Sequence, residues 1–327
     1  MNGSHPTCPA PAPASKPMRV AFGEALIEFA DAFPRMVVLD ADCSSSTQTK
    51  LFAARHPDRF FNFGIAEANM VAAAAGMAAA GLIPVASSFA FLLALRAGDA
   101  VRSLVAYGGL NVKLVGGYAG LSDFADGASH QSVADLAVMT ALPNMAVVVP
   151  SDLTETRLAV RAMLEREGPV YLRLSREAAG AVFGPAHPFE IGRGIVVREG
   201  ADVTLAACGR GLLLALEAAD ELAGGGISAR VLDLHTVKPL DAGAVEAAAR
   251  ETGAIVTVEE HNVIGGLGSA VSAAAAERYP VPVLRCGIPD RFGESGPYAE
   301  ILARAGLSAG RIADLARRAL ALKRDPD

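Results

Sequence analysis

Short, almost purely apolar runs alternate along this chain with longer stretches in which apolar residues return every three or four positions. The runs are MVVLDA (36–41), LIPVASS (82–88), NVKLVGG (111–117), MAVVVP (145–150) and PVYLRLS (169–175). Such continuous apolarity predicts strands covered on both faces, as in a parallel sheet. Helical patterns fall between them, at about 20–33, 67–80, 90–106, 132–141 and 152–167. The last begins PSDLTETRLAVRAMLE, with Ser151 as the expected N-cap and acidic residues in the first turn. A second series follows, with strands at 202–209, 228–234, 254–260 and 281–287 and helices near 211–224, 241–252, 266–278 and 308–322. Between the series, FGPAHPFEIGRG (183–194) reads as a Pro- and Gly-rich linker. The pattern predicts an α/β protein: two successive domains, 18–182 and 195–327, with parallel or mixed sheets flanked by helices.

Composition narrows this picture. With 327 residues, 52% of them hydrophobic and 20% charged, the chain can bury two ordinary cores. A net charge of −6 argues against a general nucleic-acid or membrane-surface role. Cys8, Cys43, Cys208 and Cys286 have no CxxC spacing, which suggests neither a disulfide framework nor a zinc site and fits a reducing cytoplasm. Residues 1–17, MNGSHPTCPAPAPASKP, lack signal-peptide grammar and read as a flexible leader. The apolar region around 70–95 is interrupted by Gly81, Pro84, Ser87 and Ser88, so no membrane span is expected.

Candidate chemistry concentrates in the first series. Ligands of open α/β sheets sit beyond the carboxyl ends of the strands. Here those ends carry DADCSSST (40–47), SSFAF (87–91), GYAGLSDFADGASHQSVADL (117–136) and LSRE (174–177). The 117–136 loop is long enough to be functional, although a surface loop with an incidental histidine is the plain alternative. EEHNVIGGLGSAV (259–271) is no dinucleotide fingerprint, because Val271 stands where the third glycine belongs; a Gly-rich strand-to-helix turn is expected. No spacing suits a metal site on this chain. Glu67 heads the apolar stretch VAAAAGMAAAG (71–81) with no cation nearby in sequence. Either it decorates a helix start, or it is held dry because something that can share its proton binds it.

FGIAEANM, PVASSFAF, DGASHQSVADLAVMTALPNMAVVVPSD and GPVYLRLSR closely resemble the pyrimidine-binding domain of transketolase. VLDLHTVKPLD, VEEHNVIGGLGS and IPDRFGESG look like that family's C-terminal domain, and the resemblance spans about 18–322. The family binds thiamine diphosphate between two domains, one holding the diphosphate and a divalent metal through a GDG motif. This chain has no GDG. The resemblance therefore implies the C-terminal half of a split transketolase. An N-terminal partner would carry the GDG motif and the metal, magnesium by family precedent, in a 2+2 heterotetramer.

By the same resemblance, Glu67 is catalytic: it hydrogen-bonds a ring nitrogen of the aminopyrimidine and favours the tautomer that activates the thiazolium carbon. Phe89 matches an aromatic that packs on the pyrimidine; Ile65 lines the same site, and Leu92 falls near the next family aromatic. Asp126 and His130 match residues at the sugar hydroxyls and carbonyl, His130 with a catalytic part. Ser46, Arg19 and Arg176 match residues at the far phosphate, and Arg173 matches the phosphate-binding arginine of the related deoxyxylulose-phosphate synthases. Arginine suits such an end group through paired charge-assisted bonds. The implied activity is transfer of a two-carbon ketol unit from a ketose phosphate, or a similar anionic ketose, to an aldose. A deoxyxylulose-phosphate synthase-like or 2-oxoacid decarboxylase beta-like subunit and a non-catalytic binding half are the alternatives. The sequence names neither the sugar nor its anionic group.

Overall fold

The computed structural model describes residues 16–323. In chain order its strands are β1 (Lys16–Pro17), β2 (Met36–Asp40), β3 (Phe60–Asn62), β4 (Ile83–Phe89), β5 (Lys113–Gly117), β6 (Ala146–Val148), β7 (Val170–Arg173), β8 (Ala178–Ala179), β9 (Ile195–Arg198), β10 (Val203–Ala207), β11 (Ala229–Asp233), β12 (Thr236–Lys238), β13 (Ile255–Asn262) and β14 (Val283–Ile288). The first sheet runs β12-β6-β7-β5-β4-β2-β3, and the second β14-β13-β10-β11-β9. The first is parallel except for β12, which pairs antiparallel with β6; the second is parallel except for β9 on β11. The strands expected from continuous apolarity are all present, and β2, β5, β6 and β10 are buried along their whole length. This is the two-sided coverage that such runs require.

The departures have local causes. β3, β9 and β12 are edge strands of three or four residues, too short and mixed to stand out from the turns beside them. The region 90–106 is wound largely as π-helix over Leu92–Arg96 and Val101–Ala106, with Ala97 N–H donating to Leu92 O at 2.9 Å. The N-cap of helix Leu153–Glu165 is Asp152 rather than Ser151. Asp152 Oδ1 accepts from Glu155 N at 2.8 Å, while Ser151 N–H is held by Glu155 Oε2. Of the leader, residues 1–15 lie outside the described residues, but Lys16 and Pro17 belong to the fold: they pair with Ala179 and Ala178.

The two sheets share one core. A single cluster of buried apolar side chains runs from Leu136, Val147 and Val149 to Leu234, Val237 and Leu267. Each such fully buried residue contributes about 1.5–3 kcal/mol relative to exposure. The 183–194 segment is docked rather than loose. Asp152 Oδ2 accepts the Val182 and Phe183 N–H groups, His187 bonds Glu155, and Phe189 stacks on His235 at 4.1 Å.

Candidate active site

Helix Glu67–Ala79 starts after β3, at the carboxyl edge of the first sheet. Its buried positions are Glu67, Met70, Val71, Ala74 and Ala75, which form one stripe. Ala66, at the N-cap, offers no side-chain acceptor, so Glu67 supplies the only acidic group in the first turn. The Glu67 side chain is 2% exposed, and its Oε2 accepts from Arg96 Nη1 at 3.2 Å. That cation stands 29 residues further along the chain, in the first π-helical turn, and was invisible to a local reading of the sequence. Arg96 itself is 53% exposed. A dry carboxylate thus has a wet partner at the surface.

Beyond β4, Phe89 packs edge-on to Tyr118 at 4.6 Å and lies 6.1 Å from the His130 ring. Phe91 lies 5.5 Å from the same imidazole. Leu92, at the expected second aromatic, is buried, and Phe91, one residue earlier, lies nearer to His130 than Phe89 does. Ile65 is 75% exposed on the approach to Glu67. His130 Nδ1 lies 2.9 Å from Ser129 Oγ, after the one-turn helix Gly127–Ser129. Asp126 is exposed at the start of that turn. Gly127 has φ +75°, and a Cβ there would run into Ser295 Oγ, so glycine lets the loop rest on the second unit. A carboxylate, an apolar and aromatic wall and a histidine therefore share one sheet edge. That donor set fits an aminopyrimidine, with Glu67 for a ring nitrogen and Phe89, Leu92 and Ile65 for its faces.

The charged end of the site is built around Asp40. Its carboxylate accepts from Cys43 N at 2.7 Å, Thr47 Oγ1 at 2.9 Å and Thr49 Oγ1 at 2.7 Å, which folds the 40–47 loop. The loop presents the Ser46 carbonyl to Arg19 Nη1 at 3.0 Å. Arg19 also donates to Tyr118 Oη at 2.9 Å. The β1–β8 pairing explains why Arg19 and Arg176 come together: it ties the start of helix Met18–Phe29 to the segment just past Arg176. Arg176 Nη1 donates to Asp123 Oδ1 at 2.9 Å, and its guanidinium lies 5.1 Å from the Tyr118 ring. Tyr118 has φ +58°, a backbone state that costs a non-glycine residue on the order of 1–3 kcal/mol. Arg96, Phe91, Tyr118 and Asp123 were not singled out by sequence. Tyr118 and Asp123 carried one usable signal, their place in the long loop.

Arg173 has a different place. It is 4% exposed, and its Nε and Nη2 bond both oxygens of Asp135, with further bonds to the Ser132 and Glu260 carbonyls. Burial alone would raise the Asp135 carboxyl, but the adjacent guanidinium holds it below the usual range. Nε and Nη2 of the expected phosphate-binding Arg173 are thus committed inside the seam between the two units. The Gly-rich turn is likewise closed, since Glu259 accepts from Leu267 N and Gly268 N at 2.7 Å each. Among the described residues no group of three or more His, Cys, Asp or Glu could hold a metal ion. No helix among them is long and apolar enough to cross a membrane. A surface cleft of about 850 Å³ lies at Thr252, Gly253 and Pro280–Pro282, at the amino ends of β13 and β14 and away from this edge.

The family models for the transketolase pyrimidine-binding domain and the transketolase C-terminal domain match residues 14–181 and 192–312. A chain of Methanocaldococcus jannaschii, named as a transketolase C-terminal section, is 44% identical over 91% of this chain and 94% of its own length. The 6-deoxy-6-sulfo-D-fructose transketolase subunit SqwH of a Clostridium species is 43% identical over 90% and 92%. A solved split-gene transketolase, described as an inactive beta4 tetramer, superposes with a TM-score of 0.89 at 48% identity, covering 94% of this chain and 99% of that one.

Proposed function

Because the chain belongs to the transketolase family and matches its C-terminal section, we propose that it is the pyrimidine-side half of a thiamine diphosphate-dependent transketolase. It moves a two-carbon ketol unit from an anionic ketose to an aldose, in the cytoplasm. The observation that carries this reading is Glu67, buried at the same carboxyl sheet edge that carries Phe89 and His130. Bound there, thiamine diphosphate supplies the electron sink for breaking a ketose carbon–carbon bond. Glu67 holds a proton at a pyrimidine ring nitrogen, while Phe89, Leu92 and Ile65 exclude water from the ring. Asp126 and His130 orient the sugar hydroxyls and carbonyl, and His130 also moves a proton at the reacting oxygen. Ser46, Arg19 and Arg176 take the anionic end. The Clostridium relative acts, by its name, on a sulfonated ketose, so the anion need not be phosphate.

The diphosphate and a divalent metal, magnesium by the same reading, fall to an N-terminal partner bearing the GDG motif. Phe61, Ile65, Leu95, Leu104 and Tyr107 are exposed on helix Glu67–Ala79's flanking segments. Such a patch favours burial between subunits, and we assign it to a 2+2 assembly. Co-expression with the partner, followed by a screen of ketose donors and native mass measurement, tests the proposal. Ketol transfer is expected from the pair and not from this chain alone. Full turnover by the isolated chain with thiamine diphosphate and magnesium would refute the split reading, and a fully active one-to-one pair would refute the tetramer.

A further inference from the structure

Tyr118 stands between two cations. The Arg19 guanidinium lies 5.6 Å and that of Arg176 5.1 Å from its ring centroid, and Arg176 lies 4.9 Å from the Phe124 ring. Arginine over an aromatic face is oriented without losing its outward donors. One carboxylate is set among them. Asp123 is wholly buried; its Oδ1 takes Arg176 Nη1 at 2.9 Å and its Oδ2 has no partner. The Ser122 hydroxyl accepts Arg176 N–H at 3.1 Å, which fixes the pair in register.

Two positive charges, from Arg19 and Arg176, meet two carboxylates, Asp123 and the exposed Asp126 beside it on the same loop, so no surplus of positive charge matches a dianion. A phosphate monoester carries about −1.5 to −2 near neutral pH, whereas a sulfonate carries a single charge. Burial first, and then Asp126, push the Asp123 carboxyl up to about 6 against the pull of Arg176 and His130. Above that value its negative charge stays in place to oppose a second charge on the ligand.

We propose that Arg19, Tyr118 and Arg176, with Asp123 beneath Arg176, select a ketose whose far end is a singly charged oxyanion of the sulfonate class over a dianionic phosphate, with Asp123 as the specificity-determining residue. The inference rests on reading this edge as the end-group pocket of a ketol transferase.

The test uses the complex reconstituted with its diphosphate-binding partner, at about pH 7.5, where the phosphate ester is mostly dianionic. Rates are compared for 6-deoxy-6-sulfofructose and fructose 6-phosphate with one aldose acceptor. Wild type is expected to favour the sulfonate in kcat/KM by about tenfold or more. Asp123→Asn is expected to shift that ratio toward phosphate by about tenfold, through KM rather than kcat. A wild-type preference for phosphate, or a ratio unmoved in a folded Asn variant, overturns the inference. If the variant does not fold, calorimetry on the wild-type complex decides: 2,3-dihydroxypropane-1-sulfonate should bind more tightly than glycerol 3-phosphate, and equal or reversed affinity overturns it. A complex that shows this binding preference yet transfers no ketol from any donor fails the functional reading alone.

Discussion

At the carboxyl edge of the first sheet, Phe89, Asp126, His130 and Arg176 stay partly or fully exposed. At the same edge of the second sheet, Cys208, Asp233, His235 and Glu260 are buried. The architectures are alike, and what differs is what lies over the strand ends. The second sheet's ends are pressed into the first unit. Val149 N–H donates to His235 O at 2.7 Å, Asn262 N–H to Val133 O at 3.0 Å, and Leu121 N–H to Glu260 Oε1 at 2.7 Å. The edge that would hold a ligand in one unit is the mortise of the joint in the other. Polar residues at strand ends therefore carry two meanings, and Arg173 and Arg176, three residues apart, fall on opposite sides of the division.

Substitutions sharpen the contrast. The largest effect is expected at Glu67. With the partner present, Glu67→Gln should lose about 10²–10⁴ in ketol transfer, while the fold and complex persist. The bond it weakens reaches a half-exposed Arg96 and contributes no more than about 1 kcal/mol. Turnover at the wild-type rate in the Gln variant would mean that the open edge does no acid–base work. Next comes the joint. Arg173→Ala leaves the buried Asp135 carboxylate without its cation, with the Tyr171 hydroxyl as its remaining donor, and should cost about 3–5 kcal/mol in urea unfolding. Arg176→Ala strips a partly exposed cation from the buried Asp123 and should cost less, about 1–3 kcal/mol, while raising the donor KM. If those two outcomes were exchanged, the comparison would collapse.

Smaller effects follow. Asp152→Ala removes an N-cap and the acceptor of the Phe183 N–H, so a loss of about 1–2 kcal/mol is expected by thermal unfolding. The pH dependence at Asp123 is the mildest. Its carboxyl is raised to about 6, chiefly by burial and then by Asp126, so it is charged above that value and neutral below it. Losing that charge as pH falls frees Arg176 for the ligand. KM for a sulfonate donor, whose own charge is constant, should fall several-fold as pH drops through about 6. Asp126, Arg176 and His130 face the same carboxyl, so the slope is attributed by difference: it should be absent in Asp123→Asn.

Much of this was legible in the chain. The interior strands were written as apolar runs because both their faces are covered, and motif order located Glu67, Asp126, His130 and Arg176. Partnerships across distance were not legible. Arg96 reaches Glu67 only because the π-helical segment packs on helix Glu67–Ala79. Asp135 claims Arg173 from 38 residues away, and the Glu260 carbonyl of the second unit takes a further bond from it. A motif match assigns a residue to a position; whether its donors are free depends on what packs against it. Tyr118 shows a further limit, since its positive φ is visible only once the loop is folded.

β12 belongs by sequence to the second series and by hydrogen bonds to the first sheet, where Thr236 pairs with Val148 and Lys238 with Val147. The strand lends its backbone to the far side of the joint, so the two units are not modules that can be parted at the 183–194 segment. A chain ended there would bare the flank of β6, with Ala146, Val147 and Val148 unpaired along it, and such an edge recruits other chains. A workable cut must leave both sheets together. Under the split proposed above, the divisible boundary of the enzyme then lies between this chain and its partner.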